Sequence, residues 1–315
     1  MLENKKILIT GGAGFLGKHL VDVLSKIVPI EQIFVARSRE YDLREKDRVE
    51  RLFERFSPDI VVHLATTAGG IGYNKEHCGK LYYDHIMMNS ILMDVAMKRG
   101  VKKFLAVGTA LGYPKNASMP LNENDIWEGY PEDSMAYLGL VSKMMLVQAQ
   151  SYRKEFGFNA IYVILANLYG PGDHFSKERS HVIPATIMKF DEAIKNGNPR
   201  IEMWGSGKAS REFLYVIDAA EGIVMALESY DKPEPLNLGS SKEITIGELI
   251  EKVSKLMNFP GEISWDPTKP EGQLRRCMDN SRIINEIGFK AKTDFDEGLK
   301  ETINWYIKNK DGAQS

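Results

Sequence analysis

The sequence lacks the features that mark several specialised classes of protein. Only two of the 315 residues are cysteines, and Cys78 and Cys277 belong to no C-x-x-C pair. Neither a disulfide framework nor a zinc site is therefore indicated, and we expect both thiols to be packing residues. No apolar run approaches the roughly 18 residues of a membrane-spanning helix, and the start "MLENKKILIT" is unlike a signal peptide. These absences predict a cytoplasmic protein with no membrane partner and no metal site.

The chain also lacks an excess of charge of either sign. Its 41 Lys and Arg residues nearly balance 43 Asp and Glu residues, for a formal net charge of -2. No overall field then attracts nucleic acid or an anionic membrane, so we expect neither as a partner. With 43% hydrophobic residues, the chain can bury a large core. The expected partner is a small molecule, and an anionic one must be bound by a local group of cations.

Short β-branched segments alternate with helix-length stretches in the first half of the chain. The segments are "KKILIT" (5–10), "QIFVA" (32–36), "DIVVHLA" (59–65), "KKFLAVG" (102–108) and "NAIYVILA" (159–166). Their order predicts an α/β fold, with a doubly wound parallel Rossmann sheet over residues 1–167. From about Tyr169 turn residues become frequent, which predicts a smaller C-terminal substrate-binding domain over 168–315. Residues 212–238 are expected to pack back on the first domain.

A glycine-rich turn follows the first predicted strand. The stretch "TGGAGFLG" places Gly11, Gly14 and Gly17 between that strand and its helix. A dinucleotide pyrophosphate needs a tight turn, a bare backbone and a helix N-terminus with free N–H groups, and glycines at these offsets meet all three needs. The turn therefore predicts a cofactor site that includes Phe15 and Leu16. The alternative is an ordinary glycine-rich turn.

The second predicted strand ends in basic residues rather than in an acidic one. In "ARSRE", Arg37, Ser38 and Arg39 can hold a ribose 2′-phosphate, whereas an Asp or Glu there would bind a 2′-hydroxyl. This favours NADP(H) over NAD(H), and the alternative is a solvated basic loop. Further expected cofactor contacts are Asp42 and Leu43 beside the adenine, and Leu64, Ala65, Asn167 and Leu168.

Several stretches together resemble a known family of enzymes. They are "GGAGFLG", "AGGIGYN", "GVKKFLAVGTALGYPKNASMPLNE", "NLYGPGDHF", "SHVIPATIMKF" and "WGSGKASREFLYVIDAA". The chain resembles the extended short-chain dehydrogenase/reductases (NAD-dependent epimerase/dehydratase family) that act on nucleotide sugars, and specifically the GDP-L-fucose synthases. The resemblance implies a homodimer that epimerises C3 and C5 of a GDP-4-keto-6-deoxyhexose and then reduces C4 with NADPH.

Carried over residue by residue, the resemblance implies a set of site residues. Thr109 matches the Ser/Thr that hydrogen-bonds the sugar carbonyl. His181 matches a His that acts as an acid in epimerisation, a role that suits a pKa near neutrality. The alternative for His181 is a structural histidine near a proline turn. The residues expected around the diphosphate and base are Lys189, Trp204, Arg211 and Arg276. Their three cations would form the local anion site that the neutral composition requires.

The chain departs from the family pattern in three places. Leu111 stands where the family has a catalytic Cys, and it can neither give nor take a proton. Counting back from "EFGFNAIYV" places Leu138 and Ser142 at the positions of the family's Tyr and Lys, whose i, i+4 spacing puts both side chains on one helix face. Tyr137 and Lys143 lie six residues apart and cannot share that face. The loop "LATTAGGIGYN" is one residue shorter than the family's loop and lacks its Lys.

Two hypotheses about function follow from these departures. In the first, the protein is a GDP-sugar oxidoreductase or epimerase that uses Thr109, His181 and a displaced Tyr137. In the second, it is a catalytically silent protein that binds NADP(H) and a nucleotide sugar beside an active paralogue. Tyr137 has two open placements: at the family's Tyr site, if the helix starts differently, or in the loop before the helix. Without a neighbouring ammonium its pKa should stay near about 10, so turnover should rise with pH.

Two long helical patterns are expected to form the dimer contact that the resemblance implies. They lie near residues 79–99 and 134–156. The second carries more apolar surface than packing on one sheet face requires, in Leu140, Met144, Leu146, Val147 and Tyr152. A homodimer is therefore the expected assembly.

Overall fold

The computed structural model describes residues 2–67, 74, 76–176, 180–269 and 272–313, with only the backbone described for 311–313. The shortened loop at 64–74 is described only up to residue 67 and at Asn74. The rest of that loop, and its predicted effect on the cavity wall, lie outside the described residues.

A parallel six-stranded sheet organises the first part of the chain. Its strands are β1 (Ile7–Thr10), β2 (Ile33–Ala36), β3 (Ile60–His63), β4 (Lys103–Thr109), β5 (Ala160–Leu165) and β9 (Leu236–Leu238). Their order is β2-β1-β3-β4-β5-β9, so the chain starts next to one edge, moves to that edge and then crosses to the other. In register, Ile7 of β1 lies between Ile33 of β2 and Ile60 of β3.

Helices cover both faces of this sheet. They are α1 (Phe15–Leu24), α2 (Lys46–Phe56), α3 (Cys78–Lys98), α4 (Ala136–Phe156) and α6 (Val216–Ser229). Helices α1 and α6 pack on one face in a core that contains Leu20 and Leu24, and the others pack on the opposite face with Phe53 and Leu92. All residues of β1 and β3 are buried because helices cover them on both sides. The predicted doubly wound Rossmann sheet is confirmed.

The remaining strands and helices form smaller layers. One four-stranded sheet contains β6 (Asn167–Tyr169), β8 (Ser210–Tyr215), β10 (Glu243–Thr245) and β12 (Arg275–Arg276), and β7 (Arg200–Trp204) pairs with β11 (Glu262–Asp266). The helices are α5 (Val182–Lys195), α7 (Ile246–Leu256), α8 (Ser281–Ile287) and α9 (Phe295–Ala313). Helices α5, α7 and α9 share a third core with Phe190, Leu249 and Leu299. Helix α6 and strand β9 join the first sheet, and the domain division at residue 167 stays a prediction.

A buried asparagine on β9 ties the two parts of the chain together. The Tyr113 hydroxyl donates to Asn237 Oδ1 (2.8 Å), and the Asn237 backbone N–H donates to Glu123 Oε1 (2.8 Å). The Asn237 side-chain amide donates to the carbonyl oxygens of Leu121 (2.9 Å) and Asp279 (3.0 Å). A buried network with its groups satisfied fixes one arrangement of the segments that it joins. The chain after β4 is thereby held against β9 and the C-terminal part.

The two cysteines differ in their surroundings. Cys277 is buried, as expected of a packing residue, whereas Cys78 is exposed. The expectation for Cys78 is wrong because this residue begins helix α3 at the surface. Among the described residues, no group of three or more His, Cys, Asp or Glu side chains could hold a metal ion. No helix there is long and apolar enough to cross a membrane.

Candidate functional site

The glycine turn after β1 has the geometry of a tight, bare backbone loop. Gly11 has φ +72°, and a Cβ atom on it would lie 2.7 Å from the backbone nitrogen of Ala65. A Cβ atom on Gly17 would lie 2.3 Å from the Gly11 carbonyl oxygen. The Gly14 N–H closes the turn on that same oxygen at 2.9 Å, and helix α1 begins at the next residue. The first N–H groups of α1 are thus available to an anion, and no larger side chain fits at Gly11 or Gly17.

The buried histidine His63 supports this turn through Thr10 and Ala65. His63 Nε2 lies 2.9 Å from Asn89 Oδ1, and its Nδ1 lies 2.7 Å from Thr10 Oγ1. Because an amide oxygen only accepts, Nε2 carries the proton and Nδ1 accepts from the Thr10 hydroxyl. Thr10 Oγ1 in turn accepts from the Ala65 N–H at 3.3 Å. Burial lowers the pKa of His63 to about 4, so the ring is neutral and holds Ala65 against Gly11.

A second histidine holds the loop that follows β3. His85 Nε2 accepts from the Thr67 N–H at 2.9 Å and lies 3.1 Å from Thr66 Oγ1. Burial lowers the pKa of His85, which keeps this nitrogen free to accept. Sequence reasoning missed both histidines. The available signal was a polar residue at the end of an apolar strand for His63, and a polar residue within an apolar helix for His85.

The basic residues after β2 are exposed and form a turn. The Arg37 carbonyl accepts from the N–H groups of Glu40 (3.0 Å) and Tyr41 (2.9 Å), and the side chains of 37–39 are open to solvent. This placement is compatible with the predicted 2′-phosphate contacts of Arg37, Ser38 and Arg39, which stay predictions.

Asp42 and Leu43 have other partners in the fold. The Arg44 guanidinium donates to both carboxylate oxygens of Asp42, at 2.9 and 2.6 Å, and also to Asp84 at 2.8 Å. The hydrogen bond from Arg44 is the main reason that the pKa of Asp42 falls to about 2. Leu43 is buried in the core beneath the sheet. The predicted contacts of both residues with adenine stay untested, and the structure assigns them a structural role.

Thr109 ends strand β4 at the carboxyl edge of the sheet. Its Oγ1 accepts from the Leu111 N–H at 3.3 Å and caps a short 3-10 turn, Ala110–Gly112. Its backbone N–H donates to Ser142 Oγ at 3.1 Å. Among the residues that the structure describes, none accepts a hydrogen bond from the Thr109 hydroxyl. The hydroxyl can therefore donate to a substrate oxygen.

Tyr137 and Lys143 point away from each other. Helix α4 begins at Ala136, so Tyr137 lies in its first turn, and the alternative that placed it in the loop is wrong. Its hydroxyl donates to the Asn74 carbonyl at 2.7 Å. Burial, with a contribution from Cys78, raises the pKa of Tyr137. Lys143 donates instead to the Gly129 carbonyl at 3.0 Å, and burial lowers its pKa.

A different face of α4 lies against Thr109. Ser142 is on that face, and its Oγ is 2.6 Å from the hydroxyl oxygen of Tyr162 on β5. Leu138, one helical turn earlier, is buried. Between them, a Cβ atom on Gly139 would lie 2.4 Å from the Leu111 carbonyl oxygen, so the helix and the 3-10 turn are in close contact. This face carries Leu138 and Ser142, the two residues that the resemblance places at the positions of the family's Tyr and Lys.

His181 precedes helix α5 and is exposed at its side chain. Protein atoms packed around its ring and the nearby charge of His174 lower its pKa. In the preceding loop, the Asp173 carboxyl is buried and accepts from the His174 N–H at 2.7 Å, and its second oxygen has no hydrogen-bond partner among the described residues. Burial raises the pKa of Asp173 to about 7. Asp173 is a titratable group of this loop that sequence reasoning missed.

Two arginines lie side by side on neighbouring strands. Arg211 on β8 is in register with Arg276 on β12. Arg276 Nη2 donates to the Ala110 carbonyl at 2.6 Å, directly after Thr109. Burial, and the adjacent positive charge of Arg211, lower the pKa of Arg276 to about 10. Two neighbouring guanidinium groups, one of them desolvated, favour a bound anion beside Thr109.

The other two predicted substrate residues form a separate pair. Lys189 on α5 donates through Nζ to the carbonyl of Glu202 on β7. Trp204, two residues further along β7, is 61% exposed and presents its ring at the surface. The structure therefore brings Arg211 and Arg276 together and places Lys189 near the strand of Trp204. Asn167 and Leu168, on β6 beside β8, lie between the sheet edge and the arginine strands.

Comparison with known proteins agrees with this geometry. The model of the NAD dependent epimerase/dehydratase family matches residues 7–239. A "Probable GDP-L-fucose synthase 1" of Oryza sativa subsp. japonica is 35% identical over 305 residues, which are 96% of this chain and 92% of the rice protein.

Comparison with solved structures points to the same family. A GDP-L-fucose synthetase from Naegleria fowleri bound to NADP is 28% identical with a TM-score of 0.89, and the match covers 100% of this chain and 98% of that one. A GDP-D-glycero-L-gluco-heptose synthase from Campylobacter jejuni in the presence of NADPH is 26% identical with a TM-score of 0.88, over 98% and 99% of the two chains. The sheet, the glycine turn and these matches together show that the chain belongs to the NAD dependent epimerase/dehydratase family, among relatives that include GDP-L-fucose synthases.

Proposed function

We propose that the protein is an NADP(H)-dependent oxidoreductase or epimerase of a GDP-linked sugar, a GDP-4-keto-6-deoxyhexose being the expected substrate. The observation that carries this proposal is the contact of Arg276 with the carbonyl of Ala110, which places a cation pair beside the Thr109 hydroxyl. A diphosphate and a sugar oxygen could then be bound together by adjacent groups. The GDP-sugar enzymes among the relatives support the same substrate class.

NADP(H) is the proposed cofactor. The glycine turn offers backbone N–H groups to a pyrophosphate, and the exposed Arg37 and Arg39 offer two positive charges where a 2′-phosphate would lie. Relatives solved with NADP or NADPH support NADP(H) as the cofactor. When bound, NADPH supplies the hydride for reduction.

Thr109 and His181 are the proposed catalytic groups of this chain, with Tyr137 as the remaining phenol. Thr109 would donate a hydrogen bond to the sugar carbonyl oxygen, which stabilises the negative charge that develops there. His181 would act as a proton donor, and its lowered pKa reduces the fraction of the ring that carries the proton to be donated. Leu138 and Ser142 cannot replace a Tyr–Lys relay, so the proton relay is altered and turnover is slow.

The experiment mixes the purified protein with NADPH and a GDP-4-keto-6-deoxyhexose. Oxidation of NADPH is followed by absorbance, and exchange of the C3 and C5 protons is followed in heavy water. We expect slow turnover that Thr109→Val lowers about 100- to 1000-fold, since an oriented donor to a developing oxyanion contributes on that order. Full activity of Tyr137→Phe would show that Tyr137 has only a structural role. Full activity of Thr109→Val would refute the proposed role of Thr109.

A second function is favoured by one observation, the helix face of Leu138 and Ser142. A protein with this face could bind NADP(H) and a nucleotide sugar without reacting them, as a partner of an active paralogue. The same experiment separates the two functions. Tight binding of both ligands with neither NADPH oxidation nor proton exchange would establish the silent binder.

We also propose a homodimer through helices α3 and α4. Tyr82 and Tyr83 on α3 are 44% and 57% exposed, and Met144 and Val147 on α4 are 43% and 39% exposed. The expectation that Leu146 adds to this surface is wrong, because it is fully buried in the core. Light scattering at micromolar concentration should give the mass of two chains. A monomer, or a dimer unchanged by Tyr83→Glu with Val147→Glu, would contradict this interface.

A further inference from the structure

A closed chain of hydrogen bonds joins Thr109, Ser142 and Tyr162. The Thr109 N–H donates to Ser142 Oγ at 3.1 Å, Ser142 Oγ is 2.6 Å from Tyr162 Oη, and Tyr162 Oη is 2.7 Å from the Ser142 carbonyl oxygen. The carbonyl can only accept, so the single phenol proton of Tyr162 goes to it. In the contact between the two hydroxyl groups, Ser142 is therefore the donor. Both hydroxyl protons are used inside the protein, and neither Ser142 nor Tyr162 can give one to a substrate.

These hydrogen bonds hold Thr109 in place without using its own hydroxyl proton. The Thr109 backbone is held from one side by Ser142, and Thr109 Oγ1 is held from the other by the Leu111 N–H at 3.3 Å. These two contacts set the backbone and the side-chain torsion of Thr109 while leaving its hydroxyl proton available. A fully bonded buried group holds one geometry more firmly than a solvated one.

Tyr162 also fills the space above β4. Its side chain is 1% exposed, and a Cβ atom on Gly108 would lie only 2.0 Å from its hydroxyl oxygen. A longer side chain at position 142 that followed the direction of Ser142 Oγ would meet the phenol, because Tyr162 Oη already contacts both Oγ and the carbonyl of Ser142. A lysine at 142 in this direction would compete with Tyr162 for the same space.

We propose that Ser142 and Tyr162 are positioning residues for Thr109, and that the Tyr162 phenol occupies the space that a lysine at position 142 would need. Tyr162 acts through Ser142, and Ser142 acts through the Thr109 amide. The part that concerns the sugar rests on the proposed function, since it assumes that Thr109 contacts a GDP-linked sugar.

The test compares two ligands that differ by the sugar. Affinities of GDP and of GDP-L-fucose are measured by calorimetry, at saturating NADP, for the wild type, Ser142→Ala and Tyr162→Phe. Each variant should lose about three- to tenfold in affinity for GDP-L-fucose, the equivalent of one ordinary hydrogen bond, and keep its affinity for GDP. The double variant should be no weaker than Ser142→Ala, because both changes break the same chain of bonds.

A second readout needs no sugar. In protein labelled with ¹⁵N-threonine, exchange of the Thr109 amide should be faster in Ser142→Ala and Tyr162→Phe. The matched control is Tyr230→Phe, which removes another buried phenol that donates to a backbone carbonyl, that of Glu234. This control should change neither the ratio of the two affinities nor the Thr109 exchange rate.

The outcomes separate the positioning proposal from the proposed function. If the variants match the wild type in both the affinity ratio and the amide exchange, the positioning proposal is overturned. If the wild type binds neither GDP nor GDP-L-fucose, the proposed function fails, and amide exchange alone decides the positioning role. Faster exchange in both variants, absent in Tyr230→Phe, would then still support it.

Discussion

The turn after β1 and the start of helix α4 both lie at the carboxyl edge of the central sheet, but they use different parts of the chain. At the turn, the contacts come from backbone atoms: Gly11 and Gly17 leave space, and the start of α1 offers N–H groups. At α4, the contacts come from side chains: Leu138 is buried, and Ser142 accepts from the Thr109 N–H. A change of side chain at 138 or 142 leaves the backbone contacts of the glycine turn in place, but it changes which protons α4 can supply.

Helix α4 packs closely against the turn after β4 even though it lacks the side chains of a Tyr–Lys relay. Gly139 touches the Leu111 carbonyl, and Ser142 bonds the Thr109 amide, so the helix is docked tightly although its face has neither phenol nor ammonium. The fold and the cofactor turn therefore do not depend on the relay. A family member can change its chemistry at α4 without loss of the sheet on which it is built.

The largest effect should follow from a side chain at the cofactor turn. Gly11→Ala combines a φ of +72° with a Cβ atom 2.7 Å from Ala65 N, so NADP(H) affinity should fall roughly 100-fold or more. The control is Gly197→Ala, which has φ +63° but no atom within 4 Å of the new Cβ. It should lose about 1 kcal/mol of stability and keep its NADP(H) affinity, as measured by fluorescence titration. Equal NADP(H) affinities in the two variants would show that the turn is not part of the cofactor site.

At α4, restoring the relay should need three changes rather than two. Leu138→Tyr with Ser142→Lys should cost about 1–3 kcal/mol of stability in urea unfolding, because the lysine meets Tyr162. Adding Tyr162→Val should recover stability and raise the rate of NADPH oxidation about 10- to 100-fold over the double variant, through a positioned general acid. If the double variant is already as fast as the triple one, Tyr162 does not occupy the space of the lysine.

The neighbouring Arg211 and Arg276 allow a similar test at the predicted substrate site. Arg276→Ala should weaken GDP-sugar binding about 10-fold or more, because a charged hydrogen-bond donor beside Thr109 is lost. NADP(H) affinity should not change. The neighbouring Arg275→Ala is the control, since Arg275 is bound to Glu243 and lies at the exposed side of β12. A loss as large in Arg275→Ala would show that general charge, and not the position of Arg276, governs binding.

Stability should also depend on pH at the glycine turn. His63 has a folded pKa of about 4 because it is buried, whereas an unfolded histidine has a pKa of about 6.5. Between these values the unfolded chain binds more protons, so acid favours unfolding and stability rises with pH. His63 should account for about 2 kcal/mol of the stability lost between pH 7 and pH 5. Urea unfolding of His63→Asn should show a weaker pH dependence than the wild type; an identical dependence would contradict this.

Patterns within short segments were sufficient to predict the sheet and the cofactor turn. The alternation of β-branched segments with helical stretches predicts a parallel sheet, and the spacing of Gly11, Gly14 and Gly17 predicts a tight loop before a helix. Both signals are local, since a strand or a turn is specified by residues a few positions apart. The absence of a Tyr-x-x-x-Lys pair at 137–143 is equally local and was visible without a structure.

Tertiary structure alone decided which side chains meet at the site. Ser142 meets Tyr162 across 20 positions, Thr10 meets His63 across 53, and Arg276 meets Ala110 across 166. No periodicity links such pairs, because hydrogen-bond partners are selected by the packing of whole elements against one another. The direction of Tyr137 was undecidable for the same reason. A shift of one residue turns a side chain by about 100° around a helix, and the face of α4 that meets Leu111, where Gly139 approaches it, depends on tertiary packing.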